Sequence, residues 1–337
     1  MKIIFIKVHP PYLVLPEKKW LKREYRMRWM LRQTKELGYD TSLYLLSNCD
    51  DMYIHREDCA PIMFFRVDRL KDSKDCHTSN RMLQKLEEEH PEILVFKGFE
   101  YRLTSFIIEN LSYRPKIIYI AGGRIKDKYL AKVDWIFAET EEQEKLFLQK
   151  NKNVSILPKT VDTDVFKPYD KKEFDIVNVG NFDHRKNQIS LVPFFENYKC
   201  VLVGNGENYA KVKVYAHNKK NILMPGDVET DKVADYIKKS KIMVHPSTFE
   251  GFPRALIEGM SCGIPIVAFK KTINGIVENG IHGYLVDNDG EMYNRVDYLL
   301  HNEDLRKEMG QRCRDLVMNN YGKDVTKPIL ERLFKKI

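Results

Sequence analysis

Two glutamates, Glu250 and Glu258, stand eight positions apart in FEGFPRALIEGMSCGIPIV, residues 249 to 267. Paired carboxylates are the raw material of acid–base chemistry, and the glycine and proline between them mark where the backbone turns. Pro253 suits a first helical turn, so Pro253 to Met260 reads as a helix, with Glu250 in the loop before it and Glu258 further along it. A helix N-terminus favours an anion. Backbone N–H groups near Gly251 and Phe252 could therefore hold a diphosphate, with Glu258 accepting hydrogen bonds from sugar hydroxyls and Glu250 beside the reacting centre. The plainer alternative makes Glu250 a helix-start acid stabilised by the helix dipole and Glu258 a surface residue.

Two further stretches carry chemistry. In GNFDHRKNQISLV, from residue 180, Gly180 ends an apolar run, and Arg185 and Lys186 precede a helical stretch at 187–196. That placement could bring both cations to a phosphate. In VLVGNGEN, residues 201–208, Gly204 and Gly206 are followed by Tyr209 and Ala210, so the dinucleotide pattern GxGxxG is not completed. Hydride transfer is poorly supported, and a tight strand-to-helix turn accounts for the pair.

The elements that must position these residues follow from the apolar runs. Strands are expected at 2–8, 41–47, 62–67, 92–98, 116–122 and 134–140, and again at 174–180, 199–206, 221–228, 241–247 and 264–269, alternating with helical segments. This is the rhythm of βα units, and it implies an α/β protein with two doubly wound parallel sheets. Between the halves, SILPKTVDTDVFKPYDKKEF (155–174) has neither periodicity and reads as an interdomain linker. Open α/β sheets take ligands at the carboxyl ends of their strands, so two facing sheets would form a cleft lined by the loops after Gly180, Val203 and His245.

Length and composition agree. The 337 residues suit two domains, and 43% hydrophobic with 31% charged residues is globular composition without an apolar run able to span a bilayer. The N-terminal MKIIFIKVHPPYLVL is interrupted by Lys7, His9 and prolines, and reads as a strand, not a signal sequence. The six cysteines form no CxxC pair, so no zinc site or disulfide framework is indicated, and a reducing cytoplasmic setting is expected. The net charge of +8 suits phosphorylated ligands or anionic surfaces. Residues 18–35 concentrate eight Lys/Arg among Trp20, Tyr25 and Trp29, with Trp20, Met27 and Leu31 on one helical stripe. A core-packing helix with a basic outer face is favoured over peripheral contact with an anionic membrane, and nucleic acid is not an expected partner.

The segment HPSTFEGFPRALIEGMSCGIPIVAF, continuing to NGIVENGIHGYLVDNDGEM, resembles the donor-site signature of retaining glycosyltransferases of family 4. The resemblance extends through ILPKTVDTDVFKP, VGNFDHRKN, VLVGNGEN and MGQRCRDLV, roughly residues 156 to 318. It implies the GT-B fold: two Rossmann-like domains facing a central cleft, spanning 1–158 and 159–318, with a C-terminal helix, 319–337, crossing back to the first. It also implies roles. Glu258 would bind the donor ribose, Glu250 would contact the transferred sugar, and the backbone of Gly251, Phe252 and Pro253 would hold the distal phosphate. Lys186 falls on the family's diphosphate-binding lysine. Its usual arginine partner, directly after Gly180, is Asn181 here, and Arg185 is the candidate replacement. Asn205, Asp227 and Val228 lie where the base is received. The family's glycine-rich loop after the first strand is missing, which leaves His9, Gly122, Gly123 and Arg124 as acceptor-side candidates.

The function implied is metal-independent transfer of a sugar from a nucleotide diphosphate donor, UDP- or GDP-linked, to a glycan, lipid or small-molecule hydroxyl with retention of configuration. The donor is a co-substrate, and no cofactor or metal is expected: the chain's DTD, 162–164, lies in the linker and not in a loop after a strand. The competing reading is a non-catalytic module that binds sugar nucleotides or other anions.

Overall fold

Along the first strand, Lys2–Lys7 (β1), Ile4 and Ile6 enter one apolar cluster while Ile3 and Phe5 enter another. Successive side chains of a strand point to opposite faces, so this sheet is buried on both sides, as a parallel sheet covered by helices requires. The computed structural model describes residues 1–7, 25–47, 53–56, 60–68, 78–98, 102–121, 130–272 and 275–337. His9, Trp20, Gly122, Gly123 and Arg124 lie outside them. Two compact units are present: Met1–Pro158 with Asp324–Ile337, and Lys159–Lys323.

In the first unit β1 is followed by Asp40–Ser47 (β2), Tyr53–Arg56 (β3), Pro61–Arg66 (β4), Ile93–Lys97 (β5), Lys116–Ile120 (β6), Trp135–Ala138 (β7) and Val154–Ile156 (β8). Among the described residues they form one sheet in the order β3-β4-β2-β1-β5-β6-β7-β8, parallel except where β3 runs antiparallel to β4. The helix Tyr25–Glu36 buries Met27, Met30 and Leu31 in the core of this unit, so the described part of the 18–35 stripe packs inward. Against that helix lies Thr326–Phe334, with Leu330, Leu333 and Phe334 buried, Thr326 Oγ1 donating to Gln33 Oε1 at 2.5 Å, and a Lys327–Glu36 ion pair at 2.7 Å. No described helix is long and apolar enough to cross a membrane.

The second unit holds Phe174–Val179 (β9), Cys200–Val203 (β10), Ile222–Gly226 (β11), Ser240–His245 (β12), Ile266–Phe269 (β13) and Gly283–Val286 (β14). They form an all-parallel sheet in the order β11-β10-β9-β12-β13-β14. Three short strands, β3, β8 and β14, lie outside the runs read from the sequence. The stretch at 188–196 forms a 3₁₀ helix with Pro193 inside it.

Residues 155–174 are not a loose tether. Val154–Ile156 is a strand, the amide of Val161 donates to the carbonyl of Tyr321 at 2.8 Å, and Phe166 is buried. The Arg314 guanidinium fastens this stretch, donating to the carbonyls of Phe166 at 2.9 Å and Ser261 at 2.7 Å. In the DTD triplet, Asp162 Oδ1 accepts from the amide of Asp164 at 3.0 Å and Asp164 pairs with Lys323, so both carboxylates shape the turn. One side chain and a turn order what hydrophobic periodicity does not.

Candidate active site

Beyond the carboxyl end of β9, the chain makes a tight turn over Asp183–Lys186. Asp183 Oδ1 accepts from the amide of Lys186 at 3.1 Å, and Asp183 Oδ2 accepts from Arg185 Nη2 at 2.8 Å. The Arg185 side chain, 51% exposed, is thereby folded onto its own turn. Its carbonyl does the positional work, accepting from the amide of Thr248 at 2.7 Å and from Ser247 Oγ at 3.0 Å. This clasp joins the loop after β9 to the loop after β12, and so brings Lys186 to Glu250.

Glu250 receives two donors on one oxygen. Lys186 Nζ pairs with Oε1, and His245 Nε2, at the end of β12, lies 2.8 Å from the same atom. The other oxygen, Oε2, accepts no hydrogen bond from a described residue. His245 is 2% exposed and the Glu250 side chain 7%. Burial pushes the Glu250 carboxyl up, but the hydrogen bonds from His245 and Lys186, with the Lys186 charge, outweigh it and hold the carboxyl down at about 2. Burial lowers the His245 imidazole, and the Lys186 charge adds to that, against the raising effect of Glu250. His245 is therefore neutral near pH 7, and its Nε2–H donates to an ionised Glu250.

The helix that follows runs Arg254–Ser261, with Pro253 as its N-cap at φ −78° and ψ 90°. The non-helical ψ puts Pro253 one residue before the helix, not inside its first turn. As N-cap, Pro253 supplies no side-chain bond, and a helix N-terminus suits an anionic ligand. Glu258 is 8% exposed, so it is no surface residue. Gly251 is exposed, and Phe252 packs edge-on to Tyr321 with ring centroids 5.9 Å apart.

The loops after β9, β10 and β11 are zipped together by their backbones. Gly180 N donates to Val203 O at 3.0 Å, Phe182 N to Asn205 O at 3.0 Å, and Gly204 N to Gly226 O at 3.0 Å. This contact dictates the glycine at 204: φ is +128°, and a Cβ there would lie 2.0 Å from the carbonyl oxygen of Gly180. At Gly180 itself a Cβ would meet the Lys186 stem at 3.5 Å, an ordinary contact. Asn205 is exposed and its Oδ1 accepts from Gly206 N at 2.8 Å, while Asp227 is exposed and Val228 half-buried. Asn181 is exposed beside Gly180.

Lys186 and Glu250 are thus brought into contact, whereas the Arg185 guanidinium is turned to Asp183. His245 was missed by motif spacing. Its signal was a polar residue closing the apolar run Ile242–Val244.

Two Rossmann-like units, each built on a parallel sheet, have the architecture of the GT-B fold. Residues 160–316 match the family model described as glycosyl transferases group 1. An uncharacterised glycosyltransferase of Haemophilus influenzae is 29% identical over 85% of this chain and 88% of its own. The Escherichia coli UDP-Gal:alpha-D-GlcNAc-diphosphoundecaprenol alpha-1,3-galactosyltransferase is 26% identical over 50% of each chain. Most curated relatives are matched over about half their length or less. Among solved structures, Anabaena HepE in complex with UDP and glucose superposes with a TM-score of 0.72 at 14% identity, covering 100% of both chains, a likeness of fold.

Proposed function

We propose that the chain transfers a sugar from a nucleoside diphosphate donor to an acceptor hydroxyl, with retention of anomeric configuration and without a metal ion. The observation that carries this reading is the convergence of Lys186 and His245 on one oxygen of a buried, ionised Glu250, directly before the helix that holds Glu258. Glu258 takes the ribose hydroxyls and the backbone of Gly251, Phe252 and Pro253 the distal phosphate. Asn205, Asp227 and Val228 receive the base. As the bond between the anomeric carbon and the phosphate oxygen breaks, Lys186 passes from Glu250 to the diphosphate and offsets its growing charge. Glu250 Oε2 then faces the positive charge developing on the sugar. The acceptor oxygen bonds to the same face of the anomeric carbon, and its proton goes to the departing phosphate.

The positive charge at the diphosphate comes from Lys186 and helix amides, with Asp162 and Asp164 engaged in their own turn. Arg185 would join only by releasing Asp183. A uridine donor is favoured by the UDP of the Anabaena complex and the UDP-Gal of the E. coli enzyme. The latter's diphosphoundecaprenol acceptor supports a lipid-linked or glycan acceptor. Peripheral contact with anionic lipid through residues 18–35 would rest on the basic face, since Met27 and Leu31 are in the core.

A panel of UDP-, GDP- and ADP-sugars tests the donor: saturable thermal stabilisation by UDP-sugars is expected. Acceptor-dependent release of nucleoside diphosphate separates an enzyme from a binding module.

A further inference from the structure

At the amino-terminal ends of β12 and β13, the opposite end of these strands from His245 and Glu250, the second unit has a cavity of about 610 Å³. Four cations line it, Lys172, Lys241, Arg306 and Lys307, against two acids, Asp170 and Glu303. Lys241 is neutralised by Asp175 at 2.8 Å and Lys307 by Glu303 at 2.7 Å. Lys172 Nζ donates to the carbonyl of Lys238 at 2.9 Å, and Arg306 Nη1 to the carbonyls of Leu299 and Leu300, each at 2.6 Å. Neither makes an ion pair with a carboxylate among the described residues.

Both are half-buried. Burial lowers the Lys172 ammonium, with the Arg306 charge adding to it against Cys262 and Asp170; burial likewise lowers the Arg306 guanidinium against Glu303 and Asp175. Burial pushes the Cys262 thiol in the same wall up to about 12, so it brings no negative charge. Two repelling, partly desolvated cations in one cavity are a cost that an anion would relieve. A guanidinium fork beside an ammonium suits phosphate. The volume is that of a small-molecule site, larger than inorganic phosphate needs, and Tyr169, Ile264 and Pro265 supply apolar wall.

We propose that this cavity binds a phosphate monoester of a small organic molecule, with Lys172 and Arg306 on the phosphate and Tyr169, Ile264 and Pro265 against the organic part. Its occupant would touch Cys262 and Gly263, the residues that directly follow the helix bearing Glu258.

Thermal unfolding of the full chain titrated with glucose 1-phosphate, at constant ionic strength, tests this. A saturable rise in Tm is expected for the wild type and equally for Lys186→Ala, whose change lies at the other end of the sheet. Lys172→Gln should weaken the apparent affinity by about tenfold or more, and Lys172→Arg should restore much of it. Because Arg306 also holds two helix carbonyls, Lys172→Gln is the primary variant, accepted as folded if its unliganded Tm is within a few degrees of wild type. The absence of a saturable shift would overturn the proposal. So would a shift lost in Lys186→Ala but kept in Lys172→Gln, which would put the anion at the donor site. Co-sedimentation with phosphatidic acid vesicles that depends on Lys172, without a response to glucose 1-phosphate, would assign the cations to a lipid headgroup and also overturn it.

Discussion

His245 Nε2 and Lys186 Nζ share a single oxygen of Glu250, with His245 at 2.8 Å. Glu250 is held ionised from two directions while its second oxygen accepts from no donor among the described residues. In the proposed reaction its role is electrostatic: a carboxyl kept at about 2 is a poor proton donor at neutral pH.

The pH dependence of stability follows from that depression. A carboxyl lowered from 4.5 to about 2 stabilises the fold above pH 4.5, by about 3 kcal/mol, and the contribution is lost as the pH falls towards 2 and below. His245, held below its ordinary 6.5, acts in the same direction: the unfolded chain takes up its proton first as the pH falls through 6.5. Tm measured from pH 7 to 3 should therefore drop less steeply in Glu250→Gln than in wild type. Parallel profiles would show that Glu250 is not held as described.

His245 is a positioning residue. His245→Phe removes one of two donors to Glu250 and should lower kcat about tenfold, with the donor KM within about twofold. The acidic limb of the kcat profile should move to higher pH, because Glu250 would protonate more readily. A loss of stability with kcat and its profile unchanged would reduce His245 to packing.

Two glycines separate fold from chemistry. Gly204→Ala forces a Cβ towards the Gly180 carbonyl at a positive φ and should destabilise the second unit by about 2 kcal/mol or more. Gly180→Ala meets only the Lys186 stem at contact distance. It should leave Tm nearly unchanged and act on turnover through Lys186, which thermal melts and steady-state rates distinguish.

Much of this was legible in the sequence. The spacing of Glu250 and Glu258 points to the proposed site, and apolar runs found the longer strands, because a buried parallel strand is a local pattern. What was not legible is tertiary. Asp183 captures Arg185 from two residues away, so the guanidinium expected at the phosphates is turned aside, and nothing in HRKN announces it. Gly204 is required by a carbonyl that arrives from another strand's loop. Residues 155–174 take their order from Arg314, about 150 positions later in the chain.

Glu258 and Glu250 should separate binding from turnover. Glu258→Ala is expected to raise the donor KM or Kd about tenfold, as measured by calorimetric titration of UDP-sugar, and to leave Glu250 ionised. An unchanged affinity would remove Glu258 from the ribose site.

The most direct measurement of the central claim is steady-state nucleoside diphosphate release by Glu250→Gln, which keeps the shape of the side chain and removes its charge. The account predicts a fall in kcat of about 10²-fold or more, with the donor KM within about threefold of wild type. Wild-type turnover in Glu250→Gln would contradict it.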